Sequence, residues 1–185
     1  MIYKSFGDLL RQAARRNGEK SAFIVKKKEE KSVKYINISY KKFYDDVRAL
    51  GKVFDEKGYK DKRIAVIGKN CYEWILSLLA VSYIGAVAVP LDKGLSETEI
   101  MEQMDRINAD TLIFDKDYSE IAKRNTGREN ICFNADEGFE NIDDLLEKGY
   151  KKGILPEMDS DADKLALLLF TSGTTSKSKI VMLSQ

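Results

Sequence analysis

The feature that most constrains the fold is an alternation of short apolar runs with longer amphipathic segments through the middle of the chain. The apolar runs, rich in Val, Ile and Ala, occupy 63–67, 86–89, 111–114 and 130–133. Short runs without a strict polar alternation are typical of strands that are covered on both faces. Because strands that alternate with helices form βαβ units, the sequence predicts an α/β fold with a mostly parallel, doubly wound sheet.

Polar residues at capping spacing precede the predicted helices. A Ser, Asp or Asn side chain can accept a hydrogen bond from the backbone at the start of a helix, and a Glu three positions later can complete a capping box. The predicted caps are Asn70 with Glu73 for a helix over 71–84, Ser96 with Glu99 for 97–107, Asp117 with Glu120 for a short helix, and Asn141 for a last short helix.

The first 60 residues are predicted to add an N-terminal helix, a β-hairpin and a second helix to this sheet. Apolar spacing predicts a helix over 5–16, and two β-prone runs at 22–25 and 33–38 flank a charged turn. Ser39 is expected to cap a helix over 40–57 that ends at Gly58. The expected parts are 1–60, a βα sheet over 61–147, a connection over 148–163 and a strand–loop–strand segment over 164–185.

Charge and residue content exclude several classes of protein. There are 31 Lys and Arg against 30 Asp and Glu, so a net charge of +1 argues against general attraction to nucleic acid or membrane. The absence of histidine excludes a Ser-His-Asp site or a histidine-ligated metal site within this chain. Cys71 and Cys132 are isolated and no secretory signal is recognised, so we expect reduced thiols and a cytoplasmic location.

One uncharged stretch, 74–91, approaches the length of a membrane span. Gly85 and Pro90 interrupt it, and β-branched residues are concentrated in its second half. We therefore predict a buried helix followed by a buried strand, and no transmembrane segment.

Two predicted loops follow strands at positions where open α/β sheets bind ligands. The first, 68–70 (Gly-Lys-Asn), lacks the G-x-G-x-x-G spacing of a dinucleotide site and is interpreted as a tight turn before a helix. The second lies between two apolar runs, 165–170 and 180–183, and is more informative.

The second loop carries groups that suit a phosphate chain. Gly173 permits close approach of the backbone, and Lys179 supplies a compact cation. The uncharged hydroxyl donors are Thr171, Ser172, Thr174, Thr175 and Ser176. No glycine follows Gly173, so this is not a Walker A motif. On composition alone, a polyphosphate-binding loop and an ordinary Ser/Thr-rich hairpin loop both stay open.

The loop sequence, TSGTTSKSK, resembles the phosphate-binding signature of the adenylate-forming (AMP-binding) acyl-CoA synthetase superfamily. Ser176 stands where a glycine is more usual, Ser178 where a proline is, and Ile180 where a glycine is. Two further stretches resemble the family in the right order, ISYKKFYDDVRALGKVF and RIAVIGKNCYEWILSLLAVSYIGAVAVPLD. The resemblance covers nearly the whole chain and leans towards long-chain fatty acyl-CoA ligases.

The resemblance implies that 1–185 is the N-terminal part of an adenylation domain, inactive alone. ATP, Mg²⁺ and coenzyme A are the implied co-substrates and cofactors, with a carboxylic acid as the other small-molecule substrate. Residues 171–176 would cradle the phosphates and Lys179 would support their charge. No catalytic residue is assigned, and the metal site is unknown, because the adenine, magnesium and catalytic lysine sites are expected beyond Gln185. The alternatives are a stand-alone nucleotide-binding or interaction module, and an adenylation domain that loads a carrier-protein thiol.

Overall fold

A computed structural model describes residues 3–28, 32–157, 161–171 and 178–185. The helices are α1 (Phe6–Asn17), α2 (Tyr40–Glu56), α3 (Tyr72–Tyr83), α4 (Glu97–Arg106), α5 (Ser119–Arg124) and α6 (Ile142–Lys152), and a 3₁₀ turn lies at Lys116–Tyr118. The strands are β1 (Ser21–Lys28), β2 (Val33–Ser39), β3 (Arg63–Ile67), β4 (Val87–Pro90), β5 (Thr111–Phe114), β6 (Glu129–Cys132), β7 (Glu140–Asn141), β8 (Leu165–Thr171) and β9 (Lys179–Ser184).

The central sheet has the strand order β7-β6-β5-β3-β4-β8-β9. All neighbouring strands run parallel except β8 and β9, which are antiparallel. Strands β1 and β2 form the predicted antiparallel hairpin, separate from this sheet. The predicted α/β class, with a mostly parallel sheet, an N-terminal helix and a hairpin, is confirmed.

Both faces of the sheet are covered, as the apolar strands predict. In β3, Ile64 and Val66 belong to a cluster that includes buried residues of α2, α3 and α6. Their neighbours Ala65 and Ile67 point to the other face and pack in a second cluster with residues of α4 and α5. Because side chains alternate along a strand, this split places one helical layer on each face.

The caps of α2, α4 and α6 are those predicted. The Ser39 hydroxyl accepts from the amide of Lys42 at 3.1 Å. Ser96 and Glu99 form a complete capping box at the start of α4. The side chain of Asn141 accepts from the amide of Asp144 at 2.9 Å.

Two predicted caps are wrong. Helix α3 begins one residue later than expected, so Cys71 rather than Asn70 occupies the cap position, and the Cys71 side chain makes no capping bond. The cap predicted at Asp117 is replaced by Asp115, whose carboxylate accepts from the Asp117 amide and begins the 3₁₀ turn. Helix α5 starts only after that turn, and Tyr118 at its cap position gives no side-chain bond.

Several element boundaries also differ from the prediction. Strand β4 is displaced by one residue and ends at Pro90, and β6 begins at Glu129. The two-residue strand β7 was not predicted, since a pair of polar residues carries no strand pattern. Helix α6 continues through Lys152, so the start of the segment 148–163, expected to be irregular, is helical.

The uncharged stretch at 74–91 is divided between α3 and β4, as predicted. Among the described residues, no helix is both long and apolar enough to cross a membrane.

A buried carboxylate connects three helices on one face of the sheet. Asp46 of α2 is only 2% exposed. It accepts hydrogen bonds from the hydroxyls of Tyr72 in α3 and Tyr150 in α6, each at 2.6 Å. Lys42, one turn earlier in α2, forms an ion pair with the same carboxylate. The buried carboxylate is therefore satisfied by two hydroxyls and by the ammonium of the exposed Lys42.

The β8–β9 hairpin is held at the end remote from its connecting loop. The Gln185 backbone amide donates to the Lys164 carbonyl at 3.0 Å. The Gln185 side chain donates to the Ser82 carbonyl at 2.9 Å and accepts from the Phe6 amide at 3.4 Å. Lys164 in turn forms an ion pair with Asp61 at 2.5 Å. These contacts connect the end of β9 to α1, α3 and the turn before β3.

Candidate functional site

The carboxyl edge of the sheet is the part of the fold where an open α/β architecture binds ligands. Strands β3, β4, β5, β6 and β8 run in the same direction, so their carboxyl ends share this edge. Thr171 is the last residue of β8. The loop signature that follows it therefore starts at the expected edge.

Thr171 and Lys179 face each other across the β8–β9 hairpin. They are register partners at the last pair before the loop, and both are exposed. Within the described part of the chain, the Lys179 ammonium forms no ion pair. A hydroxyl donor and a cation are thus presented side by side to solvent, and an anion with several oxygens can engage both.

The other predicted phosphate-binding residues lie outside the described residues. These are Ser172, Gly173, Thr174, Thr175 and Ser176. Of the predicted site, the structure therefore brings together Thr171 and Lys179. The roles of the remaining five stay predictions.

Arg106, at the end of α4, contacts β8 and the residue that precedes β9, and was not singled out by the sequence. Its guanidinium donates to the Ser178 hydroxyl and to the Ser178 carbonyl, each at 3.0 Å. It also lies 5.5 Å from the centroid of the Phe170 ring. In sequence it is only a basic residue in the last turn of an amphipathic helix, a common feature that stabilises helix ends. The contact partner, 72 residues away, could not be read from that pattern.

A cleft of about 530 Å³ lies beside this contact, between α4 and the start of β9, and Arg106, Ser178 and Gln103 all line it. Gln103 is 8% exposed, and its buried side-chain carbonyl oxygen has no hydrogen-bond partner among the residues that the structure describes. A buried acceptor with no partner costs stability, so this position is energetically unfavourable in the chain as described.

The loop after β3 is built for close packing. Gly68 has φ +154°, and a Cβ there would lie 2.6 Å from the Phe133 ring and 2.7 Å from the Cβ of Asp115. Lys69 is paired with Asp117, whose hydrogen bond raises the pKa of the lysine. These contacts explain the glycine by packing and the lysine by an ion pair, in keeping with the tight turn predicted here.

Neither thiol is activated. Burial raises the pKa of Cys71 to about 12 and also raises the pKa of Cys132. A thiol with a raised pKa is a poor nucleophile and a poor metal ligand. No cluster of three acidic, cysteine or histidine side chains suited to a metal occurs among the described residues, so none of them is assigned to Mg²⁺.

The sequence is similar to those of known enzymes. A family model described as "AMP-binding enzyme" matches residues 10–185. Long-chain-fatty-acid–CoA ligase 5 of Rattus norvegicus is 30% identical, over 80% of this chain and 25% of its own length. The 2-succinylbenzoate–CoA ligase of Bacillus mycoides (strain KBAB4) is 26% identical, over 88% of this chain and 31% of its own length.

A solved structure shows the same fold at low identity. The adenylation domain of the carboxylate reductase GR01_22995 from Mycobacterium chelonae superposes with a TM-score of 0.82 at 18% identity, over 98% of this chain and 34% of that one. The chain thus spans about a quarter to a third of the length of the proteins it matches here. Since the family model covers nearly all of the sequence, the chain belongs to the AMP-binding enzyme family.

Proposed function

We propose that the protein carrying this chain activates a carboxylic acid with ATP and transfers the acyl group to a thiol, with coenzyme A as the acceptor. The observation that carries the proposal is the pairing of Thr171 with Lys179 at the carboxyl edge of the sheet, in a chain that belongs to the AMP-binding family. A parallel sheet with a hydroxyl and an exposed ammonium at that edge suits the phosphates of a nucleotide.

In the proposed reaction a carboxylate oxygen attacks the α-phosphorus of ATP. The bond between the α-phosphorus and the bridging oxygen breaks, pyrophosphate leaves with that electron pair, and an acyl-adenylate forms. The thiol sulfur then attacks the acyl carbon and AMP leaves. Charge builds up on the departing pyrophosphate, so fixed donors beside it lower the barrier.

Two described residues have roles in this step. Lys179 would place its ammonium against the β- and γ-phosphates, and the Thr171 hydroxyl would donate to a phosphate oxygen. Ser172, Gly173, Thr174, Thr175 and Ser176 complete the proposed cradle. Mg²⁺, when bound, shares the negative charge of the phosphates.

We propose the class of acid from sequence similarity. We favour a long-chain fatty acid, on the sequence resemblance and on the similarity to the rat ligase. The Bacillus relative is named for 2-succinylbenzoate, an aromatic acid, so a panel of both kinds is the appropriate test. A cytoplasmic location belongs to the proposal as well, since ATP and coenzyme A are available there.

The test is ATP–pyrophosphate exchange by the complete protein that carries this sequence, with fatty acids of several chain lengths and with aryl acids. Exchange that depends on one class of acid, followed by a CoA thioester detected by mass spectrometry, is the expected result. We expect Lys179→Gln to reduce kcat/KM for ATP about 100-fold. The matched control is Lys123→Gln in α5, an exposed lysine paired with Glu120, which should leave exchange unchanged. No exchange with any acid would refute the proposal.

Two alternatives give different outcomes. An adenylation domain that loads a carrier protein would show the exchange reaction but no CoA thioester. A stand-alone nucleotide-binding module would bind ATP-Mg²⁺ at micromolar strength as the 185-residue chain alone, measured by calorimetry.

A further inference from the structure

Arg106, at the end of α4, donates its hydrogen bonds to Ser178 and not to the carboxylates close to it. Four residues earlier in α4 lies Glu102, the spacing and order at which a glutamate and an arginine pair best on a helix. Glu99 and Asp105 line the same cleft. Nevertheless, among the described residues Arg106 forms no ion pair with any of these carboxylates. Its guanidinium instead reaches across to Ser178.

The contact has a geometry that fixes the backbone. Two nitrogens of one planar guanidinium bind two oxygens of one residue, both at 3.0 Å. A fork of this kind restrains direction as well as distance. One of the two acceptors is the Ser178 carbonyl, so the restraint acts directly on the main chain.

The position of the contact links it to the candidate site. Ser178 immediately precedes Lys179, and Phe170, under the same guanidinium, immediately precedes Thr171. Phe170 pairs with Ile180 in the hairpin register, and Thr171 pairs with Lys179. Arg106 therefore contacts the chain neighbours of both site residues that the structure describes, Phe170 next to Thr171 and Ser178 next to Lys179.

We propose that Arg106 is a positioning residue for the nucleotide phosphates, which it serves by holding Ser178 and thereby the place of the Lys179 ammonium. This inference rests on the proposed function, because it assigns Arg106 to the same phosphate site. The guanidinium itself makes no contact with the phosphates in this proposal and acts through Lys179.

The first test is the ATP dependence of pyrophosphate exchange by the complete protein. Arg106→Gln should lower kcat/KM for ATP about 3- to 10-fold, as expected for losing exposed hydrogen bonds to a charged group. The KM for the acid should not change. Arg106→Lys should lose nearly as much, because a lysine keeps the charge without the fork. An Arg106→Lys variant with wild-type kinetics would overturn the inference, since charge alone would then suffice.

A matched control is Arg124→Gln in α5. Arg124 is an exposed arginine on the same face of the sheet, paired with Glu97 of α4 at 2.8 Å. The substitution Arg124→Gln removes one positive charge without affecting the contact with Ser178, so it should leave kcat/KM for ATP unchanged. An equal loss in both variants would mean that general charge or fold stability is responsible, and would overturn the positioning role.

A double-mutant cycle tests whether Arg106 acts through Lys179. In a Lys179→Gln background, the further change Arg106→Gln should have little effect on kcat/KM for ATP, because the group being positioned is gone. Fully additive losses would show that Arg106 acts by another route and would overturn the inference. A merely structural residue would give such additive losses.

Hydrogen exchange on the complete protein without nucleotide separates this inference from the proposed function. Arg106→Gln should speed exchange of the amides at the start of β9 that bond to β8 about 3- to 10-fold, whereas Arg124→Gln should not. Unchanged exchange would overturn the anchoring by Arg106 even in an active enzyme. Faster exchange in a protein that shows no ATP–pyrophosphate exchange would instead uphold the anchoring and refute the proposed function, and with it the role towards phosphates.

Discussion

Removing the Tyr72 hydroxyl should destabilise the chain without changing its shape. The substitution Tyr72→Phe deletes one oxygen that donates to the Asp46 carboxylate at 2.6 Å, and keeps the ring that packs on Phe23 and Phe43. Asp46 is 2% exposed, so water has little access to the position of the lost donor. The perturbation therefore isolates a single hydrogen bond inside the layer formed by α2, α3 and α6.

The expected cost follows from the charge and burial of the acceptor. A hydrogen bond to a charged group contributes about 1.5–3 kcal/mol, more than a neutral one. Tyr150 and Lys42 still hold the carboxylate in the variant, so we expect a loss of about 2 kcal/mol in the free energy of unfolding rather than the larger cost of an isolated buried charge. In a chain of this size that corresponds to a fall in Tm of roughly 4–8 °C.

Urea unfolding monitored by the fluorescence of Trp74, the single tryptophan, measures this difference. Burial, with Asp46 beside it, raises the pKa of Tyr72 above its ordinary value, so the hydroxyl stays protonated and the loss should be equal at pH 7 and pH 9. The matched control is Tyr35→Phe, a tyrosine that is 65% exposed, which should change stability by less than about 0.5 kcal/mol. Equal stabilities of the two variants would refute the reasoning.

Three further predictions concern other parts of the chain. Gly68→Ala should cost at least about 2 kcal/mol more than Gly127→Ala in urea unfolding, because both have positive φ but only the first adds a clash; equal costs would contradict this. Hydrogen bonds, chiefly that from the Gln12 side chain, lower the pKa of the Asp8 carboxyl group to about 2. The ionised Asp8 carboxylate therefore stabilises the fold fully above about pH 4, and this stabilisation is lost as the pH falls towards 2. Gln12→Ala should raise that pKa in an NMR titration of the carboxyl group, and an unchanged value would be the contrary result. Gln103→Met should raise the free energy of unfolding by about 1 kcal/mol, because it removes a buried acceptor that has no partner in the described part of the chain, and a less stable variant would speak against this account.

The fold was predictable because its signals are local and repeated. Strand β3 has the predicted bounds, and the capping box of Ser96 and Glu99 is present. Each signal depends on residues a few positions apart, and each supports the same sheet. The two caps were wrongly predicted because residue type alone does not decide where a helix starts. Asn70 and Asp117 are suitable cap residues, but the turn that precedes each helix sets its first residue. The packing at Gly68 that fixes the first of these turns involves residues far away in sequence.

The candidate site was predictable only in part. The identity of Thr171 and Lys179 could be read from the loop signature, but their pairing across the hairpin depends on the register of β8 and β9. Arg106 left no signal, because a basic residue in the last turn of a helix is common and its partner Ser178 lies 72 residues away. The same holds for Asp46, whose partners in α3 and α6 come from distant parts of the chain.

The far end of the β8–β9 hairpin has a consequence for the site. Strand β9 has six residues, so Ser184 lies about 17 Å from Lys179 along the strand. Gln185 fixes the backbone at that distant end, and Arg106 fixes it beside the loop. A strand restrained at both ends cannot slide by one residue without breaking both sets of bonds, and such a slide would turn the Lys179 side chain to the opposite face. The glutamine amide at position 185 and the first helix, through the Phe6 backbone, therefore help to determine which face of the sheet presents the lysine.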